Sequence, residues 1–146
     1  MSTSYVFDTE AIIAYLYKEP GHETISSLLD TVFTGNGEGV LSETNASEVF
    51  YLVARFEGTA EETPTTDSLR LADRDIRALN RRGLAIESAD WRLTGEIKAD
   101  GSLSIADATA VALAHEQNAT LVIGADDDFD ALPVDVACKR FRTEGV

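Results

Sequence analysis

Ser104 to Asp128 reads SIADATAVALAHEQNATLVIGADDD. Apart from Asp107 and Thr109, every position from Ile105 to Ala114 is Ala, Val, Leu or Ile, which predicts a helix buried nearly all round. Ser104 stands where an N-cap belongs, and the helix is expected to reach about Gln117. Thr120 to Ile123 follows as a short run suited to a buried strand. After it comes an acidic turn, Gly124 to Leu132, with room for one helical turn. A buried helix feeding a buried strand belongs to an α/β fold with a mainly parallel central sheet.

The rest of the chain repeats this alternation. Tyr5-Val6-Phe7 predicts a strand that stops at Asp8, after which Ile12, Ile13 and Leu16 recur at helical spacing. A second helix fits residues 22 to 33, and Gly39-Val40-Leu41 makes a brief strand. The next helix, from about Thr44 to Glu57, is expected to turn Val49, Leu52, Val53 and Phe56 inward. From Thr66 to Arg82 the inward face reads Leu69, Ala72, Ile76 and Leu79, with Gly83 as the stop. A strand over 84 to 87, a helix over 89 to 99 and a last strand over Val134 to Ala137 complete the pattern. It predicts a three-layer α/β/α arrangement in one domain spanning residues 1–146.

Composition narrows the function. Against 26 acidic residues stand 12 basic ones, a formal net charge of -14, so bulk attraction to nucleic acid or anionic lipid is not to be assumed and any polyanion must be held locally. Only Lys18, Lys98 and Lys139 are lysines, and an acid-rich, Lys-poor surface suits cytoplasm at very high salt, so a halophilic source is expected. The single Cys138 permits neither an internal disulfide nor a zinc cluster, which points to a reducing compartment and a cytoplasmic location. No run approaches the roughly 18 apolar residues of a membrane span, and no leader is expected. Gly-rich phosphate loops and Gly-x-Ser-x-Gly elbows are absent, which disfavours covalent catalysis.

In open parallel sheets ligands bind beyond the carboxyl ends of the strands, and Asp8 and Asp126 sit at two such ends. If those strands are neighbours, the two carboxylates meet. Asp107 shares a helical stripe with Val111 and Ala114, so its carboxylate lies on an apolar face and needs a partner. A capping box with Ser104 would satisfy it without any ligand. Glu48 flanks the inward stripe of its helix and would equally close a cap with Asn45. Asp8 would serve as a cap too, and the acids from Asp126 to Asp130 as a solvated turn. Gathered in one crevice, however, these carboxylates repel one another unless a cation neutralises them. Oxygen ligands without His or Cys suit Mg²⁺ or Mn²⁺.

In the order of its motifs the chain resembles the PIN-domain ribonucleases, and among them the VapC-type toxins of toxin-antitoxin pairs. The motifs are Tyr5-Val6-Phe7-Asp8-Thr9, Asn45-Ala46-Ser47-Glu48-Val49, Leu103-Ser104-Ile105-Ala106-Asp107-Ala108 and Thr120-Leu121-Val122-Ile123-Gly124-Ala125-Asp126-Asp127-Asp128-Phe129. The resemblance implies a catalytic quartet of Asp8, Glu48, Asp107 and Asp126. It implies an ion held by Asp8, Asp107 and Asp126, with Asp128 in support and Glu48 completing the shell or orienting water. The implied activity is endonucleolytic RNA hydrolysis with Mg²⁺ or Mn²⁺, and the implied partners are a second copy of the chain and a cognate antitoxin. Two positions depart from the pattern: Gly124 stands where such proteins usually carry Thr or Ser, and Glu10 where a small polar residue is usual.

Arg70, Arg74, Arg77 and Arg81 fall on one stripe of the predicted fourth helix, either as an RNA-phosphate strip or as a solvated face laced by pairs such as Asp73 with Arg77. Lys139-Arg140-Phe141-Arg142 reads as a basic tail, with an aromatic able to stack on a base. Two other functions stay open at this level: a PIN-type nuclease of RNA processing without an antitoxin, and a non-catalytic acidic metal-binding module. For the latter, Asp126, Asp128 and Asp130 match the start of a calcium loop, but Ala131 and Ala137 stand where Gly and Glu are required.

Overall fold

Period-two alternation along the strands sorts the core into two halves. The computed structural model describes residues 3–144. Its elements are β1 (Thr3–Phe7), α1 (Thr9–Tyr17), α2 (His22–Phe33), β2 (Gly37–Ser42), α3 (Glu43–Phe56), α4 (Thr66–Arg81), β3 (Leu84–Glu87), α5 (Trp91–Asp100), α6 (Ile105–Gln117), β4 (Thr120–Ile123) and β5 (Cys138–Arg140). Phe7, Leu41, Leu84 and Val122 point to one side of the sheet and pack with α1 to α4. Val6, Val40, Leu121 and Ile123 point to the other and pack with α5 and α6. The three-layer α/β/α expectation therefore holds.

The strand order is β3-β2-β1-β4-β5, with each adjacent pair parallel. The chain builds outward from β1 through β2 to β3, then crosses back to lay β4 on the other side of β1. That reversal makes the β1/β4 boundary the topological switch point, where a crevice opens beyond the strand ends. Phe7 is opposite Val122, and the Asp8 amide donates to the Val122 carbonyl at 3.1 Å. The adjacency needed to bring Asp8 toward Asp126 is thus present.

Several local expectations are corrected. The last strand is Cys138–Arg140, not Val134 to Ala137. Its register sets Cys138 and Arg140 opposite Leu121 and Ile123. Val134 and Val136 instead pack irregularly on the α5–α6 half of the core. On α3 the buried apolar residues are Val49, Val53 and Ala54, while Phe56 is 43% exposed and meets Tyr17 edge-to-face at 5.5 Å. On α4 a capping box between Thr65 and Ser68 fixes the first turn with Ser68 buried, which leaves Leu69 exposed. β2 is longer than expected, and α5 begins at Trp91 after the Asp90 cap.

Candidate active site

Asp8 follows the last residue of β1 in extended conformation, so alternation carries its side chain to the side of Val6, the side that α6 covers. It is 3% exposed. Although Asp8 occupies the N-cap position of α1, its side chain makes no capping hydrogen bond, which removes the capping alternative. Asp107 reaches the same point from the first turn of α6. Ser104 caps that helix by accepting from the Asp107 amide at 3.1 Å, and the Asp107 carboxyl comes within hydrogen-bonding reach of Asp8.

The cap of α3 differs from the expected one. Ser42 is the N-cap and accepts from the Asn45 amide at 3.0 Å. The Asn45 side chain, wholly buried, is thereby free to donate to Thr9 Oγ1 at 2.9 Å and, more weakly, to Asp8 Oδ1 at 3.4 Å. Asn45 was legible only as a cap candidate, yet it ties α3 to the Asp8 turn. Glu48, one turn further along, is half-buried. A cleft of about 340 Å³ is lined by Asp8, Thr9, Glu10, Ile13, Glu48, Tyr51, Leu52, Asp107 and Asp126, so the four acids proposed from sequence share it. No Lys or Arg belongs to that lining.

Among the described residues, none of Asp8, Glu48, Asp107 and Asp126 pairs with a Lys or Arg, whereas Glu10 pairs with Arg142. Burial pushes the Asp8 carboxyl well above its ordinary value, and the Asp107 and Glu48 charges push it further, while the Thr9 backbone amide opposes them. Asp107 is also raised, first by burial, with hydrogen bonds from Ser104 and Asp8 opposing and the charges of Glu48 and Asp126 adding. A buried carboxyl, Asp8, and a half-buried one, Asp107, both inclined to hold a proton for want of a counter-charge, form a donor set that fits a divalent cation. Their all-oxygen chemistry suits Mg²⁺ or Mn²⁺. Among the described residues, no three His, Cys, Asp or Glu side chains form a ready-made metal shell. Asp8 and Asp107 would hold such an ion.

Asp126 lines the cleft but also accepts from the Asp128 amide at 2.9 Å, capping the short 3₁₀ turn Asp127–Phe129. Asp128 lies outside the group: it is exposed and accepts from the Ser102 hydroxyl at 3.0 Å. Asp130 pairs with Arg140 at 2.6 Å, and Arg140 also donates to the Gly124 and Asp126 carbonyls. The pair with Arg140 occupies the Asp130 carboxylate that a calcium loop would need. Arg70, Arg74 and Arg77 are exposed and paired with Asp67, Asp75 and Asp73, the bland form of that strip.

The basic tail is corrected outright. Phe141 is buried, and the Arg142 side chain is only 6% exposed. Arg142 pairs with Glu10, donates to Glu19 Oε1 at 3.4 Å and to the Pro20 carbonyl at 3.2 Å, and lies over the Phe141 ring. The Arg142 Nε has no hydrogen-bond partner among the described residues. A segment expected to be stray charge or an RNA contact is part of the wall beside the acidic cleft.

Residues 5–134 match the PIN domain. The chain belongs to the PIN-domain family. Its structure is similar to VapBC2 from Rickettsia felis bound to a DNA fragment from their promoter, with a TM-score of 0.69 and 16% identity over 94% of this chain and 98% of that one. It is similar to DNA-bound VapBC from Salmonella typhimurium, with a TM-score of 0.68 and 17% identity over 97% and 99%. A third similarity is to Mycobacterium tuberculosis VapC20, a sarcin-ricin loop cleaving toxin, with a TM-score of 0.57 and 16% identity over 80% and 86%. At these identities the likeness establishes the fold. No curated protein matches the sequence. In this PIN domain no helix among the described residues is long and apolar enough to cross a membrane.

Proposed function

We propose that this PIN-domain protein is a divalent-metal-dependent endoribonuclease, the toxin of a toxin-antitoxin pair, which works as a homodimer on RNA. The observation that carries the reading is the sharing of one cleft, free of basic lining residues, by Asp8, Glu48, Asp107 and Asp126. Asp8 and Asp107 would hold Mg²⁺ or Mn²⁺, with Asp126 beside them. When bound, the ion would activate water and offset charge on the phosphate. Asn45 and Thr9 fix the Asp8 turn, and Glu48 orients the attacking water from α3. Tyr51 and Leu52 line the same cleft from α3.

The VapBC likenesses support an antitoxin as partner, and a basic side chain inserted into the acidic cleft would take the ion's place. VapC20, which is named for cleaving the sarcin-ricin loop, makes a structured RNA hairpin the first substrate to try. Purified protein is to be incubated with such a hairpin and with single-stranded RNA, in Mn²⁺, in Mg²⁺ and in EDTA. Cleavage only with metal, lost in Asp107→Asn, is the expected result. Intact RNA under every condition, or cleavage that survives EDTA, overturns the reading.

A further inference from the structure

Gly124 follows β4 with a backbone outside the left-handed region, so its conformation alone does not demand glycine. What stands in the way of a side chain there is Glu10: a Cβ on residue 124 would overlap the Glu10 carboxyl and push it aside. The two positions that depart from the family pattern are therefore one feature. The Glu10 carboxyl lies across the backbone between the strand ends that carry Asp8 and lead to Asp126, and it lines the same cleft. It is held there. Arg142 grips Oε1, and its own position is fixed by Glu19, the Pro20 carbonyl and the Phe141 ring. Burying a guanidinium is costly unless it is well paired, so an arginine only 6% exposed is an expensive way to hold a carboxylate that is itself one-third exposed. Oε2 has no hydrogen-bond partner among the described residues.

We propose that Glu10 is a positioning residue of the site, a fifth carboxylate clamped by Arg142 over Gly124 whose free Oε2 orders a water on the ion held by Asp8 and Asp107. The proposal rests on the divalent-ion reading above. Arg142 takes Oε1 alone, so the free oxygen of a fixed carboxylate faces the cation's water, and the clamp keeps the long Glu side chain from collapsing onto the ion as a direct ligand.

The test is Mn²⁺ binding to the purified, metal-free protein, followed by calorimetric titration and by water-proton relaxation, with thermal melts of every variant alongside. Glu10→Gln keeps the length and an acceptor for Arg142 but removes the charge, and is expected to weaken Mn²⁺ binding roughly three- to tenfold and to change the relaxivity of the bound ion. Gly124→Ala leaves Glu10 and Arg142 chemically intact while displacing the carboxyl, and is expected to give a loss of the same size. In a Glu10→Ser background the Gly124→Ala change should have no further effect on binding. Lower melting temperatures with unchanged Mn²⁺ affinity in both single variants would mean that the clamp is structural only and would overturn the proposal. Wild-type protein that binds no Mn²⁺ overturns the metal reading along with it. Binding that Asp107→Asn abolishes but Glu10→Gln leaves unmoved overturns this inference alone.

Discussion

Asp8 is buried against two other acids, so its ionised form is the unfavourable one. Its native pKa lies above the ordinary 3.8, so between those two values the folded state holds a proton that the unfolded chain has released. The sign follows: the metal-free protein loses stability as pH rises from about 4 through the raised native value of Asp8. Asp8→Asn removes that dependence. In EDTA its melting temperature should equal the wild type's near pH 4 and exceed it increasingly toward pH 8, while metal-dependent cleavage disappears. Melts across that range check the first part, and a variant that melts below wild type at pH 8 would contradict it. Divalent-metal affinity in the wild type should rise over the same window, as the ion displaces the proton. Asn45 makes the opposite prediction. Its amide is buried and bonded to Thr9 and Asp8, so Asn45→Ala should cost about 1–3 kcal/mol in chemical denaturation and lower cleavage as well. The four acids were legible in sequence because each falls at a strand end or on a helix face next to one. The role of Asn45 was not, because Ser42 and Asn45 both suit an α3 cap and only the helix start, set by Ser42, decides between them.

At the scale of elements, α6 and β4 were the most legible, since an Ala-rich helix without a polar face has no place but the interior. The C-terminal segment was the least. Lys139 to Arg142 carries three charges and one aromatic, locally the signature of a solvated tail, and the carboxylates that receive Arg142 lie more than 120 residues upstream. Tertiary pairing at that separation leaves no periodic trace. The docking is nonetheless tight: Gly21 has a φ of 88°, and a Cβ there would strike the Phe141 carbonyl and ring. Phe141 itself is buried beneath the α1–α2 turn, so Phe141→Ala should destabilise by about 3 kcal/mol, or roughly 10 °C for a chain of this size. Because the same segment positions Glu10, Mn²⁺ affinity should fall in the folded variant too. A Phe141→Ala protein with wild-type melting would show that the segment is not part of the core.

The whole molecule carries a formal net charge of -14, and its cleft concentrates that sign further. Such self-repulsion opposes the compact state and is screened by salt, with a Debye length of about 10 Å at 0.1 M and about 3 Å at 1 M. The opposing contribution is small. Arg70–Asp67, Arg77–Asp73 and Arg92–Glu96 are exposed pairs within single helices, and Arg74–Asp75 is half-buried on its Asp side only; each is worth under about 1 kcal/mol and weakened by the same screening. The Arg142 pairs are buried and feel little of it. Relief of repulsion should therefore win, and the melting temperature of the protein in EDTA should rise by several degrees between about 0.05 M and 1 M KCl. Part of the rise comes from the cleft, so Asp8→Asn should show a shallower slope than wild type, whereas charge reversal on the remote α4 face, such as Asp67→Lys, should lower the slope without touching Mn²⁺ affinity. A melting temperature that falls with KCl would mean that the surface pairs outweigh the net charge.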